Sequence, residues 1–333
     1  MSPAPALSVV MPVRDGRPHL EASLPALLRS GGERLLEVIV VDDGSQDGSG
    51  ERASELGARV LRSGGRLGPA AARNVGAAEA PGDVVLFVDA DVVVHPDALG
   101  RIADAFADPG TVAVFGSYDD RPPQRGFASQ YMNLRHHHVH RTPAEDASTF
   151  WAGLGAVRRE AFLAAGGFDA KRFPHPSVED IELAPRLRAG GGRIRRVPGI
   201  QGTHLKRWSV GDVLRTDLLR RAIPWARLMQ ERPGAYTDLN VGRSERLRAA
   251  LAGALAAGAV LAAAGLVSGW IPLALLGAAA LANRPLLALF WRTNGAWFAL
   301  RGLLFHQLYY LYGAGAWAWC LASRRGQARP ESL

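Results

Sequence analysis

Cysteine is nearly absent from this 333-residue chain. Cys320 stands alone, which excludes an intrachain disulfide and a cysteine-rich metal centre. Charge is absent locally: no Asp, Glu, Lys or Arg falls in 249–283 or in 302–322. A water-facing helix needs a polar side, so these runs point to lipid. Acidic residues are the scarcer sign overall, 31 against 39 Lys and Arg, for a net charge of +8. That excess would suit a polyanion, but no nucleic-acid motif and no alternation of aromatic and basic residues accompanies it. Much of it lies within 186–248, beside the apolar runs, where anionic headgroups or a phosphorylated substrate account for it. The N-terminus lacks the basic flank and long apolar stretch of a cleaved signal peptide, so the large N-terminal part is expected in the cytoplasm. No Gly-x-Gly-x-x-Gly follows the first expected strand, which counts against a dinucleotide-binding enzyme.

What is present is an alternation of apolar strands and helices. Strands are expected over 6–13, 35–41, 58–61, 84–94, 111–116 and, as an edge, 193–197. Helices are expected over 20–28, 47–56, 70–80, 97–106, 160–165 and 181–188. Such alternation predicts an α/β fold with a mainly parallel sheet covered on both faces. Ligands of such sheets lie at the carboxyl ends of the strands, where the Arg14-Asp15 turn, Asp42-Asp43 and Asp89-Asp91 converge. Within 84–94 the apolar run is broken only by Asp89 and Asp91. In a continuous strand these carboxylates share a face while Ala90 packs inward, so both can turn to one cation. Few hard oxygens open to solvent suit Mg²⁺ or Mn²⁺ held jointly with a substrate diphosphate. The plain alternative is that the two acids end a strand and start a turn.

Six segments carry a resemblance. They are Ser8-Val9-Val10-Met11-Pro12-Val13, Val38-Ile39-Val40-Val41-Asp42-Asp43-Gly44-Ser45, Ala71-Ala72-Arg73-Asn74-Val75-Gly76, Phe87-Val88-Asp89-Ala90-Asp91, Gly166-Gly167-Phe168-Asp169 and Val178-Glu179-Asp180-Ile181-Glu182-Leu183. Together, over 7–208, they resemble the family 2 glycosyltransferases of GT-A (Rossmann-like) fold. The resemblance implies that Pro12, Val13 and Arg14 line the nucleotide pocket. It implies that Asp43 binds the base edge while Asp42 shapes the turn, and that Arg73 faces the diphosphate. Asp89 would lie near the ribose or the metal. Asp91 would ligate the cation, and His204 would reach the metal or the diphosphate. The 150–157 segment, with Trp151 and Gly153, would lie beneath donor sugar and acceptor beside Glu179, and Asp180 would be the general base. Lys206-Arg207-Trp208 stands where processive members carry Gln-x-x-Arg-Trp; the Gln is missing here, which favours a single transfer.

His136, His137, His138 and His140 invite a metal reading, since His136 and His140 share a helix face. No third ligand at suitable spacing follows, and a helix face near lipid phosphates or the acceptor is the other use. A helix over 207–230, mixing arginines with an apolar stripe, suits the membrane interface or the closing helix of the catalytic domain. The expected organisation is a cytoplasmic GT-A domain over 1–232, an all-α membrane domain of two to three spans over 244–323, and a polar tail over 324–333. The spans are expected over 247–267, 270–290 and 302–322. The function this implies is an inverting, divalent-metal-dependent transfer from a UDP- or GDP-sugar to a lipid, polyprenyl-phosphate or envelope-glycan acceptor. It would take place at the cytoplasmic face of a bacterial-type inner membrane. The alternative is a non-catalytic nucleotide-sugar-binding membrane protein acting as sensor or assembly partner.

Overall fold

The computed structural model describes residues 5–327. The chain divides into two compact units, 1–207 and 208–333. The first is built on strand–helix alternation. β1 (Leu7–Val13) leads to α1 (Arg17–Ser30), and β2 (Leu35–Asp42) leads to α2 (Ser49–Glu55). β3 (Arg59–Arg62) is followed by α3 (Pro69–Glu79), then β4 (Val84–Val88) and the short β5 (Val92–Val94). After α4 (Ala98–Ala105) come β6 (Thr111–Tyr118), α5 (Phe127–His140) and β7 (Leu154–Arg158). α6 (Arg159–Ala164), α7 (Glu179–Ala189) and β8 (Arg193–His204) complete the unit.

The eight strands form one mostly parallel sheet in the order β3-β2-β1-β4-β7-β6-β8-β5. β7 is antiparallel to both its neighbours, and β5 is antiparallel to β8. Side chains alternate between two buried layers, as a strand covered on both faces requires. Along β4, Val84, Leu86 and Val88 enter one core, while Val85 and Phe87 enter the other.

Two expectations about strands are corrected. The run over 84–94 is not one strand: β4 ends at Val88, a turn carries Asp89 to Asp91, and β5 starts at Val92. The two acids therefore do not share a pleated face, and Ala90 is only partly buried. The apolar residues on either side hide the break, because each half is buried in its own right. The expected edge strand over 193–197 is a twelve-residue strand lying between β6 and β5. Its register against β6 jumps from Phe115↔Arg196 to Ser117↔Gln201, so the Pro198-Gly199 stretch bulges out and pairing resumes beyond it. His204 ends this strand and pairs in register with Val92 of β5.

The second unit is helical. α8 (Val210–Arg215) passes through a π-helical stretch, Thr216–Ala222, into α9 (Ile223–Glu231). Asp217, buried in the π stretch, accepts hydrogen bonds from Arg221 at 3.2 Å and from the Tyr312 hydroxyl at 2.6 Å. α10 (Arg243–Ala263) is long and apolar enough to cross a membrane. α11 (Trp270–Ala282) and α12 (Arg284–Gln327) pass that test only as a pair bent by 79°. The span expected over 270–290 is therefore broken at Asn283, while 302–322 lies inside α12. The Tyr310 hydroxyl joins the three helices, lying within hydrogen-bond distance of two acceptors, Glu245 Oε2 of α10 (3.1 Å) and Asn283 Oδ1 (2.9 Å). Leu247, Leu266, Trp270, Leu281, Trp291 and Trp297 are each more than 60% exposed, so the helical unit carries large apolar side chains on its surface. The tail expected from 324 begins within α12, and 328–333 lie outside the described residues.

Candidate active site

Only Asp89, Ala90 and Asp91 separate β4 from β5, yet three strands lie between them in the sheet. Four strand spacings in a flat sheet would separate them by roughly 19 Å. The four residue steps from Val88 to Val92 reach at most about 14 Å. The sheet must therefore curl, and the acid-bearing turn sits inside the curl. Asp89 N donates to Gly153 O at 3.2 Å, and Leu205 N donates to Asp91 O at 2.8 Å, fixing the turn at both ends.

Arg73, on α3, lies buried behind this turn. Its Nη2 donates to Asp89 Oδ1 at 2.7 Å and its Nη1 to Glu179 Oε1 at 3.0 Å. Its guanidinium carbon is 5.7 Å from the centre of the Phe168 ring, and its buried Nε has no partner among the described residues. The resemblance has Arg73 face the diphosphate; in the structure its guanidinium bridges two carboxylates. Glu179 Oε2 also accepts from Ser177 N at 2.8 Å.

Asp180 follows Glu179 and makes no bond to Arg73 among the described contacts. Its oxygens accept instead from Ala152 N (3.1 Å) and Ile181 N (2.8 Å). The backbone of the two neighbouring residues Ala152 and Gly153 therefore joins Asp180 to Asp89. One guanidinium cannot neutralise three acids, and Asp180 is left without it. Burial first, and then the charge of Glu179, push the Asp180 carboxyl up to about 7, against the pull of its two amide donors and of Arg73.

On the other side of the turn, Asp91 Oδ2 lies 3.5 Å from His204 Nε2. Burial works to raise the Asp91 carboxyl. The His204 hydrogen bond and charge, with Lys206 and His19, outweigh it and hold the group below the ordinary carboxylate range. Among the described residues no three His, Cys, Asp or Glu side chains gather closely enough to hold a cation alone. A carboxylate and an imidazole side by side nevertheless fit a divalent ion that draws its remaining ligands from phosphate oxygens and water. Tyr118 stacks on His204, with ring centres 4.2 Å apart and planes 5° off parallel, and so fixes that ring.

Asp42 ends β2 and Asp43 begins the turn after it. Asp42 Oδ1 accepts from Ser45 N at 2.8 Å and shapes the turn. Asp43 is buried, and both its oxygens serve the 63–68 loop. Oδ1 accepts from Ser63 Oγ (2.7 Å) and Leu67 N (2.8 Å), and Oδ2 accepts from Gly68 N (2.9 Å). Expected to meet a base edge, Asp43 instead spends most of its acceptor capacity on the protein. Asp43 N donates to Val13 O at 2.8 Å, which brings this turn beside Pro12, Val13 and the exposed Arg14.

Trp151 packs against Tyr118, His136 and His140, with ring centres 4.9, 4.4 and 5.1 Å away. A Cβ on Gly153 would lie 2.6 Å from the Trp151 indole, so only glycine fits there. The histidine run is packed on β6: His137 Nδ1 meets Tyr118 O at 2.8 Å and His140 Nδ1 meets Gly116 O at 3.0 Å. Sequence reasoning assigned no role to Tyr118, Ser63 or the Ala152 amide. Tyr118 closes the buried strand β6, and that position beside the glycine-rich 150–157 segment was the available signal.

Residues 8–164 match the profile described as Glycosyl transferase family 2. The chain is 30% identical over 216 residues to a pre-mycofactocin glycosyltransferase of Mycobacterium tuberculosis, covering 62% of this chain and 44% of that protein. It thus spans less than half the length of that relative. Among solved structures it resembles the mannosyltransferase PcManGT of Pyrobaculum calidifontis in complex with GDP-Man and Mn²⁺. The TM-score is 0.63 at 24% identity, covering 96% of this chain and 88% of that one. It also resembles GalNAc-T7 with UDP, GalNAc and Mn²⁺, with a TM-score of 0.51 at 20% identity, over 63% of this chain and 45% of that one. These structural likenesses establish the fold, which is GT-A.

Proposed function

We propose that this chain, whose residues 8–164 match the Glycosyl transferase family 2 model, transfers a sugar, with inversion, from a nucleotide-sugar to a membrane-associated acceptor. The observation that carries this reading is Asp180, a carboxyl raised to about 7 and tied through Ala152 and Gly153 to Asp89. A base poised near neutrality accepts a proton while leaving useful driving force for the transfer. An acceptor hydroxyl attacks the anomeric carbon, the bond from that carbon to the diphosphate oxygen breaks, and the hydroxyl proton passes to Asp180. One displacement with one base inverts the centre, and no covalent nucleophile is needed.

Asp91 and His204 would hold Mg²⁺ or Mn²⁺, which when bound offsets the charge of the departing nucleoside diphosphate. Arg73 keeps Asp89 and Glu179 in place without motion during the reaction. Pro12, Val13, Arg14, Asp42 and the loop that Asp43 organises line the donor side. Trp151 and Gly153 form the floor on which sugar and acceptor meet. A UDP- or GDP-sugar is the donor class, supported by the GDP-Man and UDP in the two solved relatives of like fold. The apolar helices α10 to α12 support a lipid, polyprenyl-phosphate or envelope-glycan acceptor at a bacterial-type inner membrane, with the first unit on the cytoplasmic side. The missing Gln ahead of Arg207-Trp208 supports a single transfer.

The test is a panel of UDP- and GDP-sugars with Mn²⁺, read by thermal stabilisation and by release of nucleoside diphosphate. Stabilisation with release supports the transferase. Stabilisation by a sugar nucleotide without release under any acceptor favours a non-catalytic sensor, and the absence of both stabilisation and release overturns the reading.

A further inference from the structure

Asn74 follows Arg73 on α3 and faces the segment that leads to the two acids of α7. Its side chain closes a two-way pair with the backbone of Phe168. Asn74 Nδ2 donates to Phe168 O at 2.8 Å, and Phe168 N donates to Asn74 Oδ1 at 2.9 Å. The amide thus acts as a strand partner would, satisfying a donor and an acceptor that a buried loop leaves open. The approach is close enough to dictate the neighbour. Gly167 has φ +67°, and a Cβ there would lie 2.6 Å from Asn74 Oδ1.

The same segment is gripped from its other side by α7 itself. Arg186 Nη1 donates to the carbonyls of Ala165 (2.5 Å) and Gly167 (2.7 Å), while its Nε and Nη2 bind Glu182 one turn earlier. The Phe168 ring fills the space between, 5.2 Å from Phe87 of β4 and 5.2 Å from Phe162 of α6. At the start of α3, Gly68 touches the next stretch of that segment. A Cβ on Gly68 would stand 2.2 Å from Pro174 O. α3 therefore meets the 165–179 segment at three levels: Gly68 on Pro174, Arg73 on Glu179, and Asn74 on Phe168. Only the middle contact involves charge.

We infer that Asn74 is a positioning residue of the transfer reaction: its amide pair with Phe168 fixes the 165–168 turn on which α7 is anchored, and so sets where Asp180 stands. The inference rests on the proposed role of Asp180 as base. Arg73 holds only the Glu179 side chain at the first residue of α7, and Leu183, Ala184 and Leu187 seat the body of the helix in the core. Neither fixes the turn that precedes the helix, which Asn74 and Arg186 hold from its backbone. A displacement on the order of 1 Å at a catalytic group costs roughly a hundredfold in rate, so a contact remote from the substrate has leverage here. Donor binding draws on residues of β1, β2, the 63–68 loop and the Asp89-Asp91 turn, none of which Asn74 touches among the described contacts.

The experiment uses the full chain in lipid nanodiscs, as wild type, Asn74→Ala and Asn74→Asp. Asn74→Asp keeps the acceptor for Phe168 N and loses the donor to Phe168 O. Hydrogen exchange is followed over 165–181, and kcat and donor KM are measured with Mn²⁺. Asn74→Ala should speed exchange over 165–181 and lower kcat by about tenfold to a hundredfold, with donor KM within about threefold of wild type. Asn74→Asp should fall between the two. Faster exchange with unchanged kcat would reduce Asn74 to a structural role and overturn the inference, as would a fall in donor affinity equal to the fall in kcat. If Asn74→Ala does not fold, the Asn74→Asp values decide by the same criteria. A wild type that transfers no sugar from any donor sinks the proposed activity, whereas an active wild type with an indifferent Asn74 sinks only this inference.

Discussion

Asp180→Asn removes a charge and keeps the shape, and its effect on stability should depend on pH. In the folded chain, burial and then the Glu179 charge hold the Asp180 carboxyl at about 7. In the unfolded chain it titrates near ~3.9. Between those values the folded state binds more protons than the unfolded one, so this group weakens the fold as pH rises, and its full penalty is present above the folded value. A shift of this size corresponds to about 4 kcal/mol when complete, of which roughly 1.5 kcal/mol is already present near pH 5. Going from about pH 5 to about pH 8.5 should therefore add about 3 kcal/mol to the stability of D180N relative to wild type. Asn has one acceptor for the two amides, Ala152 N and Ile181 N, that Asp180 now serves. Losing one of these bonds costs about 1–3 kcal/mol at every pH, so the change in the offset, not the offset itself, is the observable. For a unit of this size 1 kcal/mol moves Tm by roughly 2–4 °C. Paired thermal scans should then show the D180N minus wild-type Tm difference growing by roughly 6–12 °C between the two pH values. An offset that stays constant would mean that Asp180 ionises as an ordinary surface carboxylate, and the argument for a poised base would fall with it.

Arg73→Met leaves the buried Glu179 without its cation, beside a half-buried Asp89, and should cost about 3–5 kcal/mol in urea unfolding, with Arg73→Lys retaining part of it. Gly153→Ala drives a Cβ into the Trp151 indole, so near-ultraviolet circular dichroism should change and stability should fall by about 1–3 kcal/mol; an unchanged spectrum would contradict the contact. Asp91→Asn and His204→Ala should each weaken Mn²⁺ retention in the presence of nucleoside diphosphate by about tenfold or more, read by electron paramagnetic resonance. Asp43→Ala releases the Ser63, Leu67 and Gly68 donors, so the 63–68 loop should become a protease target and donor KM should rise without a matching loss in kcat.

Much of this fold is legible in the sequence, because the strands are short apolar runs closed by turn residues and the helices carry separate spacing. Asp42-Asp43-Gly44-Ser45 ends β2 where turn chemistry says it should. The reading fails where two buried strands abut. Val84–Val88 and Val92–Val94 look continuous, since nothing local distinguishes an acid inside a strand from an acid in a turn between two strands. Pro198 and Gly199 hide the length of β8 for the opposite reason: a bulge lets pairing resume at Gln201, five residues beyond Arg196. In the site, residue types were legible and their pairings were not. Arg73 is the plainest case, a motif arginine whose two partners, Asp89 and Glu179, lie 16 and 106 residues away. The raised carboxyl of Asp180 follows from its burial and from the Glu179 charge beside it, and that burial is set by tertiary packing which no spacing rule reveals.

The central claim is that Asp180 receives the proton of an attacking hydroxyl, and the pH dependence of single-turnover transfer tests it most directly. With a donor identified and Mn²⁺ saturating, log rate should rise with unit slope on the acid side and level off near pH 7, and D180N should retain donor binding while transferring at least about a hundredfold more slowly. A rate that stays flat down to about pH 5, or a D180N chain that transfers at the wild-type rate, would contradict the account.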